Sequence, residues 1–386
     1  MIQNGFSYAA FLIFFASIVI FAEGKSKGKF FKYVPALVII YFGAMLFATV
    51  GVWAKNDATT AAYKALKDSL LPAMIFLMLL RCDLRQIVKL GPKMLIALFT
   101  ATLSIMAGFI VAYGMFKGSF PEGTWKSFAA LCGSWIGGTG NMVAVQGALN
   151  VADSQMGYTL LMDSINASIW IMVLLWGVSF APKFNKWTKA DTKIIDEIGA
   201  ELAKSQAKVS KEVSFPDLMI LLGLSLFVSA TSKYIGTFMP QSMFLSGSTW
   251  TVLIATTFGV ICAMTPIAKI PGAAPLSNVM LYTIVSLIAS RGDFAELGQA
   301  PLFVLAGFVI LAVHAIVSII LAKLLKLDLF TCAIASLANI GGVASSPILA
   351  AAYSEALVPI GVVMALMGYV MGTGCALIVG KILSIM

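Results

Sequence analysis

The chain has 386 residues, of which 60% are hydrophobic and only 11% charged. That balance places it among polytopic membrane proteins. The net charge of +9 is gathered in short connections, where Lys and Arg bias orientation, and gives no reason to expect nucleic acid as a partner.

The N-terminal run "MIQNGFSYAAFLIFFASIVIFAEGK" has no basic leader and no small-x-small cleavage pattern, so residues 7–22 are expected to remain as a first helix. Further apolar segments follow near 33–53, 69–81, 92–115, 127–149 and 156–180. Each is about long enough to cross a bilayer at ~20 residues. A polar stretch over 181–215 comes next and reads as a cytoplasmic linker. Within it Ile194, Ile195, Ile198 and Leu202 recur at helical spacing, which predicts a short amphipathic surface helix. Six more segments lie near 216–236, 249–267, 275–290, 301–323, 329–353 and 357–382. The reading is an all-α protein with about 11–13 membrane segments. Its five cysteines, Cys82, Cys132, Cys262, Cys332 and Cys375, are dispersed in or beside apolar runs. They form neither a disulfide framework nor a metal-ligand spacing.

Residues 1–180 and 216–386 read as two repeats. "LLRCDLRQIVKLGP" ends at Pro92 and "IASRGDFAELGQAP" ends at Pro301, each with Arg-x-Asp before a Pro that opens a long apolar run. "AALCGSWIGG" from Ala129 lies on "AIASLANIGG" from Ala333 without a gap, which pairs Gly137 with Gly341 and Gly138 with Gly342. Six segments separate Arg81 from Arg291. Inverted repeats need an odd number of crossings between equivalent points, yet the Lys-rich turns favour inversion. Inverted repeats are therefore expected, with one segment that does not fully cross.

A glycine doublet inside a membrane segment calls for a reason. A broken helix frees N–H and C=O groups that cost several kcal/mol in hydrocarbon, so breaks persist only inside protein or at a polar cavity. The freed ends carry partial charge, and paired broken helices form ion and solute sites in many secondary transporters. Close helix packing through small residues is the competing explanation. The polar residues that flank the doublets are Ser134, Thr139 and Asn141, then Ser336, Asn339, Ser345 and Ser346, with Pro347 just after. Ser134, Gly137, Gly138, Asn339, Gly341, Gly342, Ser345 and Ser346 form the expected solute site.

Two ionisable residues lie deep within apolar segments, Asp163 and His314. An intramembrane carboxylate usually marks an ion pathway. Asn166 shares its helix face, and with Asn141 and Thr139 it completes the expected cation site. His314 is a candidate proton relay or a hydrogen-bonded structural group. No nucleophile–base set appears, so catalysis is not expected. No cofactor is expected beyond a bound sodium ion.

"GSWIGGTGNMVAV", "MDSIN", "VHAIV" and "ASLANIGGVASSP" together resemble domain-of-unknown-function family 819, and the likeness covers nearly the whole chain. That family is grouped with carriers that include sodium/proton antiporters and bile-acid/sodium symporters. The resemblance implies inverted repeats, a crossed pair of broken helices at 127–149 and 329–353, a separate panel of helices, and an ion-binding acid at Asp163. Antiporters of the group often carry adjacent acidic or Asn-Asp residues there. This chain has Met162 and Ser164 on either side, which weakens an antiporter reading. The expected function is secondary transport of a small anionic solute with sodium or protons across the cell membrane, by a homodimer in contact with lipid. The alternatives are a cation/proton antiporter, the membrane subunit of a decarboxylase-driven sodium pump, and a non-transporting sensor.

Overall fold

The computed structural model describes residues 1–26, 30–34, 36–82, 85, 90–190, 212–241, 246–292, 300–354 and 357–386. The chain is an all-α polytopic membrane protein. Before the linker come α1 (Gly5–Lys25), α2 (Ala36–Thr49), α3 (Asp57–Leu79), α4 (Gly91–Phe116), α5 (Thr124–Gly137), α6 (Thr139–Leu149) and α7 (Met156–Gly177). A short helix α8 (Ala181–Thr188) follows α7. After the linker come α9 (Phe215–Phe238), α10 (Gly247–Ala263), α11 (Ala273–Ala289), α12 (Ala300–Leu325), α13 (Leu329–Ile340), α14 (Gly342–Tyr353) and α15 (Val358–Leu383). The amphipathic helix expected around Ile194–Leu202 lies outside the described residues.

Among the described residues, six helices (α1, α4, α7 continuing into α8, α9, α12 and α15) are long and apolar enough to cross a bilayer by length and composition. Shorter apolar helices are α2, α10, α11 and α13. The expected segments fall on these helices to within a few residues, with one exception. α3 starts twelve residues ahead of the run beginning at 69, because Asn56 and Thr59 form a reciprocal capping box that fixes its start. Asp57, Lys64, Lys67 and Asp68 had hidden that half from an apolarity reading.

Both segments that carry a glycine doublet are interrupted. α5 ends at Gly137, where the Gly138 N–H closes the last turn on the Ser134 carbonyl at 2.6 Å. Gly138 then takes φ 80°, ψ 175°, a region essentially confined to glycine, and α6 begins at once. In the second half the Gly341 N–H bonds the Leu337 carbonyl at 2.8 Å, and Gly342 has φ 58°. α5 has 14 residues and α13 has 12, so each is about 18–21 Å long, short of a ~30 Å hydrocarbon core. Each segment needs both of its pieces to cross.

α5 lies at the centre. Every residue from Ser127 to Gly137 is buried, as expected of a helix enclosed on all sides. It packs most extensively against α15 and also meets α4, α7 and α13. Contact with α15 is close because glycines face each other: a Cβ at Gly368 would lie 2.3 Å from the Ile136 carbonyl oxygen, and one at Gly372 would lie 2.9 Å from Gly137 Cα. α4 and α12 run against each other elsewhere in the fold. A second group of helices, α1, α9, α10 and α11, collects around α3, whose residues from Leu71 to Leu79 are all buried, and α2 joins the group through α1 and α11.

The first and second glycines of the doublets should respond differently to a methyl group. A Cβ at Gly137 would sit 1.9 Å from Asn141 Nδ2 and 2.5 Å from the Gly368 carbonyl oxygen, whereas one at Gly342 meets nothing within 4 Å. Gly137→Ala should cost about 3 kcal/mol through overpacking against backbone. Gly342→Ala should cost only the left-handed strain of about 1–2 kcal/mol. Thermal unfolding in detergent ranks the two, and equal losses would show that the α5–α15 contact can give way.

Candidate functional site

Asp163 lies on α7 and reaches across to α5. Its Oδ2 accepts from the Ser134 hydroxyl and its Oδ1 from the Trp135 indole N–H, both at 2.9 Å. Ser134 thus has two roles, since its backbone carbonyl closes the last turn before the break while its side chain holds the carboxylate. Both donors are neutral, and no cation pairs with the carboxylate among its hydrogen-bond partners. A carboxylate bound in this way retains acceptor capacity for a cation or a proton.

Asn166 is fully buried and points away from α5. Its amide N–H donates to the Val304 carbonyl at 3.2 Å, and its Oδ1 has no hydrogen-bond partner among the described residues. The amide fits because Gly307 leaves room, as a Cβ there would lie 2.3 Å from Asn166 Oδ1. The expected pairing of Asp163 with Asn166 therefore divides. One side chain addresses α5, and the other addresses α12.

The remaining candidates also separate into two kinds. Asn141 donates to the Gly368 and Tyr369 carbonyls at 3.3 and 3.1 Å and so ties α6 to α15. Asn339 is fully buried, donates to the Ala335 carbonyl at 2.8 Å and accepts from the Thr102 hydroxyl at 2.9 Å. Ser346 returns its hydroxyl to the Gly342 carbonyl at 2.8 Å. These three hold the interruptions in place. Gly138, Thr139, Gly341 and Ser345 are partly exposed instead. The first N–H groups of α6 have no intrahelical acceptor.

His314 is fully buried between α4 and α13. Its Nδ1 meets Ser104 Oγ at 2.6 Å and its Nε2 meets Ser336 Oγ at 2.7 Å. The surrounding bonds assign the protons. Ser336 accepts from the Trp170 indole at 2.8 Å, which directs its own proton to Nε2. Ser104 donates to the Ala101 carbonyl at 2.7 Å, so it accepts from Nδ1–H. A neutral imidazole in one tautomer satisfies the whole chain of bonds.

These residues lie within a recognisable family. The family model for proteins of unknown function DUF819 matches residues 10–386. The chain belongs to that family. It is also 23% identical over 366 residues to the uncharacterized membrane protein YjcL of Bacillus subtilis (strain 168), covering 90% of this chain and 89% of that protein.

A second polar assembly escaped the sequence reading. Asp153, in the connection between α6 and α7, accepts from the Tyr63 hydroxyl at 2.6 Å and from the Gln146 amide at 2.8 Å. Lys67 donates to Tyr63 at 2.8 Å. The Arg291 guanidinium lies over the Tyr63 and Tyr8 rings at 4.9 and 5.9 Å, and Tyr8 and Ser290 share a hydrogen bond. The group joins α1, α3 and the end of α11 to α6. Its members are up to hundreds of residues apart in sequence, and Asp153 sits in a loop where an acid is unremarkable. Arg291 alone had a signal, as the repeat partner of Arg81.

Burial raises the Asp153 carboxyl above the ordinary carboxylate range, against the opposing effects of Lys67, the Tyr63 hydrogen bond, Arg291 and Gln146. The native state therefore holds this proton more tightly than the unfolded chain. The stability contributed by Asp153 should fall as pH rises above the unfolded value of about 3.9, and the fall is complete above the raised native value. Asp153→Asn should remove that component of the slope when unfolding temperatures of the two proteins are compared from acidic to neutral pH. Identical slopes would exclude Asp153 as its source.

Proposed function

We propose that the protein is a secondary active transporter of the cell membrane that moves a small anionic organic solute coupled to sodium ions or protons. The observation that carries this reading is the Asp163 carboxylate held by Ser134 and Trp135 in the last turn before the Gly138 interruption. A carboxylate on a membrane helix is costly, and one tied to a helix break connects charge binding to a movable backbone element. Asp163 binds the coupling cation or proton. The solute's negative charge meets the N-terminal ends of α6 and α14 beside Gly138, Thr139, Gly341, Gly342 and Ser345, where helix dipoles favour anions. Asn141, Asn339 and Ser346 keep those ends open.

The matched interruptions on either side of the linker support a two-repeat architecture in which α4–α7 and α12–α15 form the transporting part. Alternating access then moves that part against the helices gathered around α3. A thermal-shift screen of small mono- and dicarboxylates, with and without sodium and at two pH values, tests the reading. Stabilisation by a carboxylate that requires sodium or acid supports it. A response to the cation alone favours exchange of cation for proton. Asp163→Asn should remain folded, because an asparagine can accept from Trp135 and donate to Ser134. It should lose the cation-dependent increment, and an unchanged response in that variant removes Asp163 from the mechanism.

His314 acts as a positioning group that joins α12 to α4 and α13 through its two serines. Losing a buried, fully satisfied group costs about 1–3 kcal/mol. His314→Gln should therefore lower the unfolding temperature and leave the pH dependence of carboxylate binding alone. A shifted pH profile would instead assign the imidazole a proton-carrying role.

A further inference from the structure

A cavity of about 300 Å³ opens between α7, α12 and α13. Its walls are almost wholly apolar, and its floor is the buried pair His314 and Ser336. Its mouth is formed by Val173, Trp176, Phe180 and Ile319, all large apolar side chains on the outer surface. An opening of that composition faces the bilayer and not water.

One end of the cavity lies against α8, where the long apolar run of α7 gives way to lysines. Phe184 of α8 and Leu329 at the start of α13 line it there. α8 bears Lys183 and Lys186, Lys189 follows it directly, and all three are exposed. Lys323 of α12 donates to the Trp187 carbonyl and lies 4.7 Å from the centre of that ring, which brings a fourth cation to the same edge. From His314 to Lys323 is nine residues of one helix, about 13 Å. An apolar slot that begins at a basic rim and runs inward by that length has the layout of an anionic amphiphile.

We infer that this cavity is a binding site for an anionic phospholipid, with an acyl chain against Trp170, Leu174 and His314 and the phosphate on the lysine rim. Charge complementarity selects the headgroup, since juxtamembrane lysines attract anionic lipid and not zwitterionic lipid. The bilayer-facing mouth selects a membrane component over a soluble solute. The inference depends on the membrane location alone and is independent of what the protein transports.

The test uses full-length protein in nanodiscs made either of phosphatidylcholine alone or of equal parts phosphatidylcholine and phosphatidylglycerol. Lipid retained after detergent extraction is read by native mass spectrometry, and unfolding temperature is read alongside. The expected result is preferential retention of phosphatidylglycerol and a higher unfolding temperature in the mixed discs. Lys183→Gln, Lys186→Gln and Lys189→Gln should each weaken that retention by about fivefold, and added salt should do the same. Ala315→Phe, which fills the cavity, should lose it while the lysine rim remains. Glycerol phosphate, the headgroup without tails, should give no stabilisation. Equal retention of both lipids, full stabilisation by glycerol phosphate, or a second copy of the chain retained in place of lipid would each overturn the assignment.

Discussion

A polypeptide that interrupts a helix in hydrocarbon must satisfy the freed backbone groups from within the protein, and much of this architecture follows from that requirement. The break at Gly138 is enclosed by α15, whose Gly368 and Tyr369 carbonyls receive Asn141. The approach is close enough only because Gly137, Gly368 and Gly372 carry no side chains. α5 is accordingly buried at every residue from Ser127 to Gly137. Close packing and a broken backbone are therefore parts of one device. The doublet uses its first glycine for contact and its second for the turn.

The second interruption is held by a different set of bonds. Ser346 bonds back to Gly342, and Asn339 is tied to Thr102 of α4. His314 and Ser336 extend that set into α12 and α7. Each half thus anchors its break to neighbouring helices with buried polar side chains, which specify geometry more sharply than apolar packing because a misplaced partner leaves a desolvated group unpaired. The exceptions are informative. Asn166 Oδ1 is buried without a donor at the place where α7 meets α12, and Asp163 has only neutral partners. Both of these groups lie on α7, one on each side of it.

Local signals in the chain were enough for the helices and for both interruptions, and they singled out the Asp163 carboxylate without its partners Ser134 and Trp135. Each depends on residue types whose cost in a membrane is large: glycine pairs, Pro92 and Pro301 at helix starts, and a lone carboxylate. The start of α3 was not legible, because its first half is charged and its beginning is set by a cap at Asn56. The roles of Asn141 and Asn339 were not legible either. An asparagine beside a break looks the same in sequence whether it faces a ligand or a carbonyl on another helix, and only the position of α15 or α4 decides. The GxxxG spacing of Gly368 and Gly372 did carry the signal for a close-packed helix, without naming its partner.

The Asp153 assembly extends the same reasoning to the other side of α6. Its bonds join the helices around α3 to the connection that follows the first interruption. Gln146 Oε1 and Arg291 Nη2 are buried there with no hydrogen-bond partner among the described residues. A network that is well bonded at Asp153 and open at its edges suits a contact that must form in one arrangement and release in another, since the cost of parting it is moderated by groups not fully satisfied when it is closed. α6 is thus tied to α15 by Asn141 at the interruption, and to α3 by the Tyr63–Asp153 bond in the connection that follows it. Displacing α6 and the connection after it relative to α3 would have to break the Tyr63–Asp153 bond, whereas the Asn141 bonds to α15 need not part.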